Sequence, residues 1–324
     1  MTLTQTEVRV QGRIVRRPAV EISGRTIVSR GKWIKVAAVK DEEFIENGVG
    51  DDAEVLVEAL RSGPLAADVF TFAQQLPNTA PKYKYHLEWD SKAVIPLTTY
   101  DGWLRGIEYD ARKAIKKAAK AGVIVRPVEL DDELIRGIVN IHNESSVRQG
   151  RSFWHYGKTF ETVKKDKLTL LGHSQFIGAF LQDELIGFIK MVYIGSIAST
   201  LHVMSFQKHS AKKPTNALIG KAVEICHEKR LTHLVYGDYK YDGMENSLTE
   251  FKRRSGFVEI LLPRYYVPLT VKGRSVLFCG LHHGARKALP SPLIKTLRAA
   301  RSRFNKPVEQ KTGRNGHGLS EIEH

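Results

Sequence analysis

The chain has 324 residues, 42% of them hydrophobic, which is enough to bury one large core or two ordinary ones, and its length favours two lobes. A formal charge of +15, from 50 Lys and Arg against 35 Asp and Glu, sets up a positive field that concentrates phosphates, nucleic acid, anionic lipid head groups or nucleotide-linked substrates without choosing among them. Cys226 and Cys279 are too few for a disulfide framework and lack metal-ligand spacing. No apolar stretch reaches membrane-span length and the first twenty residues lack a signal-peptide core, so the expectation is a cytoplasmic protein, with the inner membrane face as a further location.

The first hundred residues read as short strands broken by turns, with "RTIVSRGKWIKVAAV" patterned as a hairpin about Arg30 and Gly31. Pro64 predicts a short helix over "PLAADVFTFAQQL", stopped by Pro77. "YKYHLEWDSKAVIPL" reads as strand, with Tyr83, Tyr85, Leu87 and Trp89 alternating on one face. Over 101–121, Leu104, Ile107, Ala111, Ala114, Ile115 and Ala118 recur at three- and four-residue steps, which predicts an amphipathic helix capped by Asp101 and closed by Gly122. Arg112, Lys113, Lys116, Lys117 and Lys120 share its other faces, a pattern that by itself is a solvated surface. "VIVRPVEL" follows as strand.

From residue 131 the order of elements is more informative. "DDELIRGIVNIHNESSVRQ" is helical by Leu134, Ile138 and Ile141, and "SQFIGAFLQ", "LIGFIKMVYI" and "STLHVMSF" read as an antiparallel meander. The basic loop "QKHSAKKP" leads into the helix "TNALIGKAVEICHEKR". A buried strand "THLVYGDY", a short helix "NSLTEFKRRSGF" and a strand pair "VEILLPRYYVPLT" kinked at Pro263 complete the series. Lys252, Arg253 and Arg254 are expected on a solvated helix face. Beyond His283 the chain is basic, and "PLIKTLRAARSRF" is patterned as a basic amphipathic helix suited to anionic lipid or to its own protein surface.

Helix, three antiparallel strands, helix, strand, helix, strand is the chain order of an N-acetyltransferase-like lobe. With "RKAIKKAAKAGVIVR" at 112–126, "KKPTNALIGKAVEICHEKRLTHLVYGDY" at 212–239 and "LTEFKRRSGFVEILLPRYYVPLT" at 248–270, the sequence resembles GNAT-fold acyltransferases of the Fem-type group, whose members pair two such lobes. The resemblance covers roughly residues 100–270, and the first hundred by order of elements alone. It implies an α/β (α+β) fold of two tandem lobes with mixed central sheets: 1–125 with a junction helix at 101–121, 126–282, and a basic tail 283–324. It also implies acyl or aminoacyl transfer to an amine or hydroxyl of a small-molecule, nucleotide-linked or cell-envelope precursor. The donor would be acyl-coenzyme A or aminoacyl-tRNA, with no metal and no obligate protein partner.

Within that resemblance, Lys208, Lys212 and Lys213 with the helix start at Thr215 and Asn216 stand where a donor pyrophosphate is cradled. The loop has no glycine before Gly220, a departure from the coenzyme A pattern that leaves room for aminoacyl-tRNA. Backbone N–H groups near Val203, Met204 and Ser205 are the oxyanion candidates, and His202 beside them reads as structural. Asp238, at a strand end and flanked by Tyr239 and Tyr241, is the candidate base. "NESSVRQGRSFWHYGK" supplies Glu144, Arg148, Gln149, Arg151, Trp154, His155 and Tyr156 as an acceptor loop, with Glu144, His155 and Tyr241 as further catalytic candidates. Arg264 and Tyr265 would line the same cleft. The competing readings are a nucleic-acid-binding protein, or a membrane-surface protein using the tail, on a degenerate acyltransferase scaffold. No helix-turn-helix, zinc module or RNA-binding aromatic motif is present in the sequence.

Overall fold

A computed structural model describes residues 1–283 except 11, 12, 47, 50, 51, 149 and 242. Residues 1–274 form one compact unit; a second begins at Ser275, described as far as residue 283, and the amphipathic segment expected after Pro290 lies outside the described residues. Among the described residues no helix is long and apolar enough to cross a membrane.

The first half contributes β1 (Thr4–Val10), β2 (Arg13–Ile22), β3 (Arg25–Arg30), β4 (Val36–Val39), α1 (Ala53–Ser62) and β5 (Val69–Ala73). Next come β6 (His86–Pro96), α2 (Tyr100–Gly106), α3 (Tyr109–Lys120), β7 (Val123–Val128), α4 (Asp132–His142), a two-residue hairpin β8 and β9 (Val147–Arg148, Arg151–Ser152) and α5 (Phe160–Lys167). The meander is β10 (Ser174–Leu181), β11 (Glu184–Ile194) and β12 (Ile197–Ser205), followed by α6 (Pro214–Glu228), β13 (His233–Asp238), α7 (Ser247–Arg254), β14 (Val258–Pro268) and α8 (Val271–Phe278).

Twelve strands form one mixed sheet in the order β1-β2-β3-β4-β5-β14-β6-β13-β12-β11-β10-β7. Two of its pairs are parallel, β4 with β5 and β12 with β13. Tyr265 and Val267 of β14 are buried in a first core with Leu56, Val57, Phe70 and Phe72, whereas Ala93 and Ile95 of β6 join a second core with Ile135, Phe188, Leu218 and Phe257. Each lobe therefore closes its core with a strand that the chain supplies next to the other lobe.

The meander, the hairpin at Arg30 and Gly31, and the helices at α4, α6 and α7 fall where the sequence places them. Three expectations are corrected. The helix expected over 64–76 is the strand β5, whose Val-Phe-Thr-Phe run is buried on both faces between β4 and β14; burial between two ladders overrides the helix-start signal of Pro64. The helix of that region is α1, with Ala53, Leu56, Val57 and Leu60 on its inner stripe. The junction helix is two helices: Thr99 caps α2 by accepting the Gly102 N–H at 3.0 Å, and the chain turns extended at Ile107, which buries that side chain. Finally, β14 is a single strand through Pro263. That proline sits where β5 joins the ladder, and its carbonyl accepts the Gln74 N–H at 2.8 Å.

The turn between α7 and β14 packs on α2. Gly256 has φ +87°, and a Cβ there would lie 2.9 Å from Trp103 Nε1 and from Ile107 Cγ2. Trp103 in turn donates to the Ser255 carbonyl at 3.1 Å. Gly256→Ala is expected to lower stability by about 1–3 kcal/mol, read as a lower urea midpoint at unchanged slope.

Candidate active site

The parallel strands β12 and β13 pair over Ile197–Ser199 and His233–Val235 and then part. Two irregularities drive them apart: Leu201 is an extra residue in β12 between Thr200 and His202, and β13 loses register with β6 between Val235 and Asp238 around Gly237, at φ +56°. A cleft of about 390 Å³ opens between them, lined by Met204, Ser205, Lys213, Thr215, Asn216 and Tyr236 among others. Helix α6 begins in this cleft. Lys213 turns left-handed (φ 59°), Pro214 fills the first helical position without an N–H to satisfy, and first-turn N–H groups have no carbonyl within a helix to bond. Such a helix start favours an anion. The Ser205 and Thr215 hydroxyls, 2.9 Å apart, tie the strand end to it.

Glu144 and Arg148 brace this loop. The Glu144 carboxylate accepts the Gln207 and Lys208 N–H groups at 2.7 and 2.8 Å, and Arg148 donates to it at 3.3 Å as well as to the carbonyls of Ser205 (3.1 Å) and Ile141 (2.7 Å). Arg148 also lines the cleft. Lys208 reaches away to Glu184 at 2.6 Å, and Lys212 is half-buried and outside the cleft lining. A neighbouring groove of about 480 Å³ shares Lys213, Asn216, Ser247 and Phe251 with the cleft and adds Lys113 and Lys117 of α3 and Arg254.

The sheet separates this cleft from a second cavity. Gly187 of β11 abuts Leu218 of α6, while Phe188 meets His142 of α4, so α6 and α4 cover opposite faces. Ser199 is in register with Val192, two pleats on from Phe188, and so faces the α4 side. There it lines a cavity of about 80 Å³ together with Glu42, Asp90, Lys92, Val235 and Arg264. Ala73, Gln74, Gln75, Leu76, Ile194 and Ile197 continue its wall into an outer cleft of about 640 Å³.

The inner cavity is strongly ionic. Arg264 donates to Asp90 at 2.7 Å and lies 3.4 Å from Glu42; Lys92 reaches Asp238 at 2.7 Å and Glu43 at 3.1 Å. Burial opposes the charge of Lys92 and of Arg264, yet their carboxylate partners hold both charged well above their usual ranges. Burial pushes the Glu42 carboxyl up, against the pull of Arg264. Lys252, expected on a solvated face, is instead fully buried, because its ammonium turns inward to donate to the Asp238 carbonyl at 2.6 Å between the rings of Tyr236 and Tyr241. Burial pushes it down to about 8, against the Asp238 carboxylate.

Other sequence candidates fall elsewhere. Tyr265 is buried in the first core, where its hydroxyl donates to Gln74 and accepts the Lys82 N–H at 2.7 Å. Tyr239 is buried behind β13, with its N–H on the Ser91 carbonyl at 2.8 Å. Tyr241, Trp154 and Tyr156 are exposed at the rim of their loops. Gln149 lies outside the described residues, as does the side chain of Arg151. His155 packs between His142 and His202 on the α4 face, tilted against the first ring and edge-on to the second, with ring centroids 4.5 and 5.8 Å away. Among the described residues, both ring nitrogens of His142 and Nδ1 of His155 and His202 are buried without a hydrogen-bond partner. Sequence spacing gave no sign of this row, since its members come from a helix end, a loop and a strand. Glu42, Lys92 and Lys252 were equally hidden: the burial of the first two depends on pairing between distant strands, and that of Lys252 on where α7 lies against β13.

No protein-family model matches the chain, and no curated protein matches it in sequence. Solved structures do match in fold. FemX is 11% identical with a TM-score of 0.54, over 85% of this chain and 90% of that one. The C-terminal domain of a putative lysylphosphatidylglycerol synthetase from Agrobacterium fabrum is 13% identical with a TM-score of 0.52, over 82% and 88%. The chain has the Fem-type GNAT fold. In this Fem-type arrangement the parted strands belong to the second lobe, and the ionic cavity lies where strands of both lobes meet.

Burial, helped by Lys167, Lys158 and Arg148, pushes His142 down to about 3; burial, then His142 and the same cations, pushes His155 to about 2. The fold thus holds both neutral while an unfolded chain protonates them near pH 6.5. Their contribution to stability is intact above that pH and falls by about 1.4 kcal/mol per histidine for each unit below it. Urea unfolding at pH 7 and pH 5 is expected to show this loss, and His142→Phe to reduce it; equal stability at the two pH values would contradict the buried row.

Proposed function

We propose that the protein is an acyltransferase that holds an activated acyl or aminoacyl donor in the cleft between β12 and β13 and passes the group through the parted strands to an amine in the ionic cavity. The observation that carries this reading is the two-sided geometry. Tyr236 lines the donor-side cleft, while its neighbours Val235 and Gly237 line the cavity across the sheet. Two substrates that approach from opposite faces and meet at one gap gain the effective concentration that drives group transfer. The α6 start would take the donor's phosphates and the backbone beyond the Leu201 bulge its developing oxyanion, while Glu144 and Arg148 keep that loop in place.

The donor's carrier follows from charge. Lys113, Lys116, Lys117 and Lys120 are exposed along one side of α3, spanning about 10 Å, and the first and third of them line the groove that continues the donor cleft. A pyrophosphate at α6 leaves this stripe unused; a polynucleotide does not. Charged tRNA is therefore the favoured donor over an acyl-coenzyme A. The description of the Agrobacterium neighbour as a lysylphosphatidylglycerol synthetase makes an aminoacyl group the natural cargo to test.

The test is a ligand-induced melting shift with charged tRNA and with acetyl-coenzyme A. Charged tRNA is expected to give the larger shift, and Lys113→Glu with Lys117→Glu to weaken it and to lower the slope of log affinity against log salt by about 1 per lysine. A shift with acetyl-coenzyme A alone would make the protein an acyl-coenzyme A transferase. Equal shifts with charged and uncharged tRNA and no transfer would favour a nucleic-acid-binding role.

A further inference from the structure

The inner cavity contains three carboxylates, Glu42, Glu43 and Asp90, and two cations, Lys92 and Arg264. With all five charged it carries one net negative charge, suited to an ammonium group. Its connection to the outer cleft runs past Ala73, Leu76, Ile194 and Ile197 together with Gln74 and Gln75, a largely aliphatic wall interrupted by two amides, and admits a slender chain bearing an amine at its tip. Resting on the transferase reading above, we propose that Glu42, a residue of the first lobe, is the group that takes the proton from the acceptor amine.

The other carboxylates are committed. Asp90 is bonded by Arg264 Nε at 2.7 Å, Glu43 is half exposed and paired with Lys92, and Asp238 is half exposed, paired with Lys92 and outside the cavity lining. Glu42 is the most enclosed of the set and the most loosely paired, with both arginine contacts at 3.4 Å. It is also held in place. One carboxylate oxygen accepts the Ala73 N–H at 2.8 Å, and its backbone carbonyl accepts the Gln75 side-chain amide at 2.7 Å. Burial raises the basicity of this carboxylate, as a base working near neutral pH requires.

Glu42 takes one proton from the R–NH3+ group, and the freed nitrogen lone pair attacks the acyl carbonyl carbon to form the C–N bond. The carbonyl's bond to the carrier oxygen or sulfur breaks, and the nitrogen's second proton leaves on that departing atom. Glu42 gives its own proton to solvent as product leaves. No oxidant or metal enters.

The experiment pairs two acceptor amines with wild type, Glu42→Gln and Glu42→Asp, with charged tRNA or acetyl-coenzyme A as donor. n-Hexylamine is protonated at neutral pH and needs a base; hydroxylamine is largely unprotonated and does not. Glu42→Gln is expected to lose transfer to n-hexylamine by roughly a hundred-fold or more in kcat, to keep transfer to hydroxylamine, and to keep the donor-induced melting shift. The acid limb of the wild-type pH profile should also vanish in this variant. Equal losses for both amines, or equal activity with both, would overturn the assignment. The melting shift reports the donor cleft separately, so its absence in wild type would count against the transferase reading and not against Glu42. Independently of turnover, ¹³C-carboxyl NMR of wild type should show one glutamate, absent from both Glu42 variants, that titrates above the ordinary range in the company of Arg264, Asp90, Lys92 and Glu43. Titration at or below that range would overturn the proposal even if transfer is found.

Discussion

The strand exchange at the centre of the sheet is the constraint on which the rest of the structure depends. β6 and β14 lie side by side in register from Val258 opposite Val94 to Tyr266 opposite His86, and each carries its far half into the core next to which the other is encoded. Because β14 also pairs with β5, and β6 with β13, the backbone ladder runs unbroken from one lobe into the other. Hydrogen bonds at that spacing leave the lobes little freedom to rock, unlike domains joined by a linker and a polar interface. The alignment of the ionic cavity with the gap between β12 and β13 is set by this ladder.

The same exchange explains why so many charges are buried at the seam. Arg264 and Asp90 face one another because β14 and β6 are neighbours, and Glu42 meets them because β4 ends beside β5. Burying such charges is costly unless each finds partners, and the network here supplies them in pairs. A seam of apolar side chains would hold two lobes together as well or better. Clustered, shifted titratable groups of this kind are what reaction sites are built from, and structural ion-pair networks share the same signature.

Much of the second lobe was legible because its signals are local. The meander declares itself through alternating apolar residues and tight turns, and α6 through its stripe of Leu218, Ala222 and Ile225. The cleft at the start of α6 was legible for the same reason, since Met204, Ser205, Lys213, Thr215 and Asn216, which line it, are near neighbours along the chain. The first lobe was harder. β5 is short and buried on both faces, so it has no alternation to read, and a proline upstream gave a false helix start. The ionic cavity is built from Glu42, Asp90, Lys92 and Arg264, far apart in sequence, and only the strand order brings them together. Of these the sequence singled out Arg264 alone. Lys252 illustrates the limit: beside Arg253 and Arg254 it reads as solvated, and its burial follows from where α7 lies against β13.

The place of β14 in chain order also shapes how the protein is made. A ribosome releases β5 and β6 long before residue 258, so during synthesis both strands present unpaired edges on either side of an empty slot. An open edge is a template for another chain's strand, and the polypeptide carries this pair of edges for about half its length. Wherever many copies are translated together, the nascent first half is the stage most exposed to mispairing, and arrival of a single strand removes both hazards at once.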